Sequence, residues 1–215
     1  MSRLITFGCS YTYGQGLPDC ENTVVNTGIK NFYINSSTSS KQGWPSILSK
    51  QLDLELVNIS APGASNFEIL HNILNFEFKE TDTVIIMWSH YLRDLYFRNF
   101  LTWICSKYRL GVWQKHFMVR KIVRKWIEQM NERDFNLKSW VYIHHADLYL
   151  KTKNVRYVHF PAVPDELTEH PCHYKIDNFY TQGIPLLDTV ADGHPGILSN
   201  NQTANLLHEI LKNVS

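Results

Sequence analysis

The sequence predicts an α/β fold, a central parallel sheet covered by helices on both faces. Three observations predict it. Four short runs rich in β-branched and aromatic residues each end in turn residues: Leu4 to Phe7, Leu54 to Ile59, Thr83 to Trp88 and Val155 to Phe160. The runs are nearly continuous in apolarity, as strands covered on both faces must be. Helical apolar stripes separate them, and this alternation implies parallel strands with a ligand site at their carboxyl ends.

In chain order, the first strand breaks into "GCSYTYGQG", a sharp turn that delivers Ser10 to the edge of the sheet. Gly14 to Gly43 follows, rich in Gly, Asn, Ser and Thr and far longer than a typical connection, so it reads as a binding loop or a partly disordered segment. Trp44 to Leu52 carries an apolar stripe with Pro45 in its first turn. The second strand ends in "VNISAPGASN", and Asn66 to Phe78 then repeats apolar residues at Phe67, Ile69, Leu70, Ile73, Leu74 and Phe76, with Ser65 as N-cap. The third strand runs into "WSHYLRD". Tyr91 to Lys153 is a helical insertion, in which Phe117, Ile122, Trp126 and Met130 share one face and basic residues cover the rest. That pattern describes a helix packing its apolar stripe, with a lid or partner surface as the alternative. The last helix, Leu198 to Val214, buries Leu206, Leu207, Ile210 and Leu211.

With 215 residues and 44% apolar content, the chain can bury one sizeable core, so residues 1–215 read as one domain. A net charge of +1 gives no global field that would favour nucleic acid or an anionic membrane. No apolar run approaches the roughly 18 residues of a membrane span, and no secretory signal precedes the first strand. The expectation is a soluble chain. Cys9, Cys20, Cys105 and Cys172 have no C-x-x-C spacing and read as reduced thiols. Neither "HPCH" (His170, Cys172, His173) nor "HHAD" (His144, His145, Asp147) has recognisable zinc spacing, so no metal is expected. No phosphate-binding glycine motif is present. Trp44, Trp88, Tyr91, Tyr11 and Tyr13 lie near the proposed crevice, where rings can stack on sugars or pack the core.

Three places can carry chemistry. Ser10 sits where an α/β protein binds its ligand, but a serine hydroxyl is nearly inert without a positioned base and donors for a developing oxyanion. A turn or cap serine is the competing reading. The loop "ADGHPG" before the last helix offers His194 as that base and Asp192 as its orienting carboxylate, in an arrangement a plain turn would also explain. Gly63 opens the turn into a helix, where its N–H can approach a ligand or where glycine serves backbone shape alone.

Taken in order, "FGCSYTYG", "NISAPGAS" and "DGHPG" before a terminal helix resemble the SGNH (GDSL-like) hydrolase superfamily, and the chain is similar to short SGNH-like proteins encoded by tailed phages. The resemblance implies a flavodoxin-like three-layer α/β/α sandwich and a serine esterase. Ser10 then matches the nucleophile and His194 the base. Asn58, Ser60, Gly63 and Ser65 match the second block, with Gly63 as the oxyanion glycine. Two departures stand out. The family's Asp-x-x-His is here Asp-x-His, which assigns Asp192 as triad acid with Asp188 in reserve. The family's third block, Gly-x-Asn-Asp, is absent; His90 stands where the asparagine would, with Ser89 beside it. Loss of one oxyanion donor costs roughly 10²- to 10³-fold in rate. The resemblance thus implies hydrolysis of a carboxylic ester, an O-acetyl group on carbohydrate or a small acyl ester, with no cofactor and no nucleic-acid or membrane partner. The alternative is a weakened or inactive carbohydrate-binding or phage structural module. A cytoplasmic or phage-associated location accompanies both.

Overall fold

The computed structural model describes residues 2–20, 39–91, 133–163, 176–191 and 193–214, together with the backbone of 23–25, 32–34 and 132. Four strands form one parallel sheet: β1 (Arg3–Gly8), β4 (Glu55–Ser60), β5 (Thr83–Trp88) and β6 (Arg156–Pro161). Their order is β4-β1-β5-β6. A separate antiparallel hairpin joins β2 (Thr23–Val25) and β3 (Phe32–Ile34). The helices are α1 (Ser10–Tyr13), α2 (Trp44–Leu52), α3 (Asn66–Leu74), α4 (Glu132–Lys153) and α5 (Ile197–Lys212).

Register shows how the layers form. Phe7, Ile86 and His159 are paired neighbours and so share one face of the sheet. On that face Phe7 meets Phe76 edge-on at 5.8 Å, just after α3. The next residue along β6, Phe160, faces the other way and meets Trp44 of α2 at 5.7 Å. Helix α3 packs on α4, and α2 packs on α5. Helices therefore cover both faces, and the fold is a three-layer α/β/α sandwich. Because the chain goes from β1 outward to β4 and then back across to β5, the order reverses at β1, which opens a crevice at the carboxyl ends of the strands.

The central strands are buried apart from Arg3, with Leu4, Ile5, Phe7 and every residue from Val84 to Trp88 at 0% exposure. Strand β4 differs: it lies at the sheet edge, and its residues are half-buried or exposed. Helix α3 stops at Leu74, short of the expected Phe78. There the Asn75 side chain donates to the His71 carbonyl at 2.7 Å, and Phe76 and Phe78 leave the helix to pack on each other and on Phe7.

The Gly14–Gly43 stretch holds a 3-10 turn (Pro18–Cys20) and the β2–β3 hairpin, not an irregular loop alone. Asp19 closes its base by accepting from Ser40 Oγ (2.5 Å) and Lys41 N (2.6 Å). Within the insertion, α4 buries Phe135, Trp140, Ile143, Ala146 and Leu150. The expected helix containing Phe117, Ile122, Trp126 and Met130 lies outside the described residues, as do Cys105 and His170 to His173.

A polar network crosses the core beneath the end of β5. Trp88 Nε1 donates to His159 Nδ1 at 3.2 Å, and Tyr157 donates to Asp147 Oδ1 at 2.7 Å. Lys151 pairs with Asp147 at 2.8 Å and with Asp177 at 2.9 Å. Burial, reinforced by the Lys151 charge, pushes the His159 imidazole down to about 3. It is neutral, and since Nδ1 accepts from Trp88, its proton sits on Nε2.

Candidate active site

Ser10 is delivered by the way β1 ends. A Cβ on Gly8 would lie 2.0 Å from Thr12 Oγ1 and 2.7 Å from Thr12 Cβ, so only glycine lets α1 fold back against the strand. Thr12 in turn donates to Met87 Sδ at 3.3 Å, tying α1 to β5. Ser10 is the first residue of α1, and its carbonyl accepts from Gly14 N and Gln15 N, both at 3.0 Å. Its N–H belongs to the group that an α-helix leaves without an intrahelical acceptor. The Oγ is buried and has no hydrogen-bond partner among the described residues.

The turn after β4 is tied to the same place. Ala61 N donates to Gly8 O at 3.2 Å, and Asn58 Nδ2 reaches Thr12 O at 3.2 Å. Asn58 Oδ1 accepts from Ser60 Oγ at 2.6 Å. Ala64 N closes the turn onto Ala61 O, and Gly63, at φ 73°, occupies the left-handed position that favours glycine. Ser65 and Glu68 form a capping box at the start of α3.

After β5, Ser89 is buried and both of its backbone groups are engaged by Asn66. Ser89 N donates to Asn66 Oδ1 at 2.7 Å, and Asn66 Nδ2 donates to Ser89 O at 3.1 Å. The Ser89 N–H is therefore committed. His90, half-buried, stacks on Tyr91 with ring centroids 4.9 Å apart.

His194 stands on a tight loop. Val190 N donates to His194 O, Gly193 N to Val190 O, and Gly196 N to Asp188 O, at 2.9, 2.9 and 3.0 Å. Gly193 takes φ 83° at the tip. The half-buried His194 ring lies edge-on to Tyr11, centroids 5.4 Å apart, which brings this loop against the residue next to Ser10. Asp192 lies outside the described residues.

Asp188 is occupied elsewhere. It accepts from Ser199 N and Ser199 Oγ (both 2.7 Å) and from Leu198 N (3.0 Å), capping α5 from outside. Burial pushes its carboxyl up, but these donors outweigh it and hold the group below the usual carboxylate range.

The structure thus gathers Ser10, Gly63, Ser89, His90 and His194 around the carboxyl ends of β4, β1 and β5. Trp44, Trp88 and Tyr13 belong to the core, leaving Tyr11 and Tyr91 half-buried at the crevice. Among the described residues, no group of three or more His, Cys, Asp or Glu is gathered to hold a metal ion, and no helix is long and apolar enough to cross a membrane.

Two buried asparagines escaped the sequence reading. Asn66 holds both backbone groups of Ser89. Asn200 accepts from Trp44 N at 2.9 Å and donates to Pro195 O (3.1 Å) and Gly196 O (2.9 Å), fixing the foot of the His194 loop. Their one local signal is an amide side chain in the first turn of a helix, where asparagine is a poor helix former unless it bonds the backbone.

No protein-family model and no curated protein matches the chain. Solved structures do. The chain is similar to the acetyl xylan esterase Est2A from the rumen bacterium Butyrivibrio proteoclasticus, with TM-score 0.60 and 13% identity over 98% of this chain and 63% of that one. A carbohydrate esterase whose active site "displays divergent catalytic and non-catalytic binding functions" matches with TM-score 0.52 and 12% identity, over 98% and 65%. TesA matches with TM-score 0.50 and 14% identity, over 99% of both chains. The chain spans about two thirds of the two carbohydrate esterases. The chain shares the fold of these solved structures.

Proposed function

We propose that the chain is a serine esterase that hydrolyses a carboxylic ester, an O-acetyl group on carbohydrate or a small acyl ester, through an acyl-enzyme. One observation carries this reading: a buried Ser10 hydroxyl at the carboxyl end of β1, with no hydrogen-bond partner among the described residues, beside a tyrosine that touches His194.

In the proposed reaction, Ser10 Oγ attacks the ester carbonyl carbon while His194 takes its proton. The oxyanion is received by the N–H groups of Ser10 and Gly63 and by a third donor. Collapse breaks the bond to the alcohol, which leaves with the proton from His194; water then repeats the sequence on the acyl-enzyme. Since the Ser89 N–H is committed to Asn66, the third donor is the Ser89 hydroxyl or the His90 imidazole. Asp192 is assigned as the partner of His194, and the engagement of Asp188 at α5 supports that choice over the reserve. The carbohydrate esterases with the same fold support a sugar ester as substrate.

The missing third-block asparagine favours a second reading, a binding module that has kept the fold. Hydrolysis of p-nitrophenyl acetate that disappears in Ser10→Ala, with fluorophosphonate labelling of Ser10, is the expected result. Sugar binding without Ser10-dependent turnover would select the module instead.

A further inference from the structure

Trp88 ends β5, and its carbonyl accepts from Ala162 N at 2.7 Å on the β6 side. One residue later the chain turns away from the sheet, and Ser89, only 1% exposed, must find new partners for both backbone groups. One side chain supplies them. Asn66 Oδ1 accepts from Ser89 N at 2.7 Å and its Nδ2 donates to Ser89 O at 3.1 Å. The second Nδ2 proton goes to Ser139 Oγ of α4, at 3.0 Å. Asn66 and Ser139 are themselves buried, at 0% and 2%. The amide oxygen and both amide protons are thus all engaged.

The position of Asn66 in the chain matters as much as its bonds. It follows the capping box of Ser65 and lies three residues after Gly63. One short piece of backbone thus carries the proposed glycine donor at one end and, at the other, the side chain that fixes the direction in which Ser89 and His90 leave the sheet. An oxyanion hole works only when its donors are held within about half an ångström of the productive geometry.

We infer that Asn66 is a positioning residue that sets the spacing between the Gly63 donor and the third donor on Ser89 or His90, with Ser139 locking its amide. The inference rests on the esterase reading above. It also gives helix α4 a part in the reaction, because its Ser139 holds the amide that holds the loop.

Asn66→Asp tests it, since the acceptor to Ser89 N remains while both donors are lost. The expected result is a fall in kcat of about 10- to 100-fold, by analogy with the loss of a group that orients a metal ligand, with KM changed far less. Ser139→Ala, a gentler change that keeps the clamp on Ser89, gives a smaller loss of the same kind and stands in if Asn66→Asp does not fold. In whichever of the His90→Ala and Ser89→Ala backgrounds has lost the donor, Asn66→Asp costs little more, because a misplaced donor that is already gone cannot be lost again. A folded Asn66→Asp enzyme with the parent kcat overturns the inference, as does a loss that adds in full to both donor deletions. So does a parent kcat in Ser139→Ala when Asn66→Asp is unfolded. Wild-type protein with no Ser10-dependent hydrolysis overturns the esterase reading itself, a result these variants cannot mimic.

Discussion

Two loops flank Ser10, and each hangs on a buried asparagine, but they are held differently. On the side of the proposed third donor, Asn66 grips both backbone groups of Ser89, the residue next to His90. On the side of the proposed base, Asn200 grips the carbonyls of Pro195 and Gly196, and Asp188 with Ser199 ties the same foot to α5. The tip beyond His194 is left outside, with Ala191 and Gly193 exposed. One loop is fixed at or beside its proposed donor and the other at its root. The difference suits the proposed chemistry: an oxyanion donor must not move, whereas a base must approach the nucleophile and then the leaving alcohol.

The sharpest way to break this comparison is to delete the working groups. His194→Ala is expected to lower kcat by about 10⁴-fold or more, the scale of losing a triad member, and His90→Ala by about 10²- to 10³-fold if it is the third donor. Hydrolysis of p-nitrophenyl acetate across a substrate range separates the two. Equal losses would mean that the loops do not play unequal roles.

Next in size is Asn200→Leu. The substitution leaves the Trp44 N–H and two loop carbonyls without their amide partner, at a stability cost of about 2–3 kcal/mol. Urea denaturation should show that loss, while kcat of the folded fraction falls less than in Asn66→Asp. A kcat collapse with unchanged stability would reverse the assignment of root and working residue.

Acid should weaken the two sides in sequence. His159, under the end of β5 and facing Asp147, Tyr157 and Lys151, is held at about 3 against an ordinary 6.5, so the unfolded chain binds a proton that the native state refuses. Stability contributed there is present above pH 6.5 and is lost as pH falls toward 3, at about 1.4 kcal/mol per pH unit. Asp188 is depressed below its ordinary 3.8, so its contribution is intact well above that value and is lost only as pH falls through and below it. Denaturation at pH 7, 6 and 5 should therefore show a slope in the parent that is absent in His159→Gln. An identical slope in both would remove His159 as its source.

Much of this architecture was legible because it is local. Thr83 to Trp88 reads as a buried strand from composition alone, and Ser65 reads as a cap from the residues around it. The half-exposure of β4 was not legible, since edge position depends on strand order and not on the run Leu54 to Ile59 itself. The β2–β3 hairpin was hidden among the turn-forming residues of Gly14 to Gly43. At the candidate site, Ser10, Gly63 and His194 stand out because turn position and residue type coincide. The asparagines do not: Asn66 meets partners 23 and 73 residues away, and Asn200 meets Trp44 across 156. A hydrogen bond of that span leaves no periodicity to read.

The smallest expected effect lies at the exposed tip and isolates backbone conformation from packing. A Cβ added at Gly193 meets nothing within 4 Å, so Gly193→Ala creates no clash. It does place a side chain at φ 83°, at a cost of roughly 1–2 kcal/mol if the turn keeps its shape. Because the root is anchored independently through Asn200 and Asp188, that strain should stay within the tip. Thermal unfolding should then shift by only a few degrees, and kcat should fall several-fold through a displaced His194. If Gly193→Ala instead unfolds the start of α5, hydrogen exchange at Leu198 and Ser199 would rise with it, and root and tip would have to be treated as one unit.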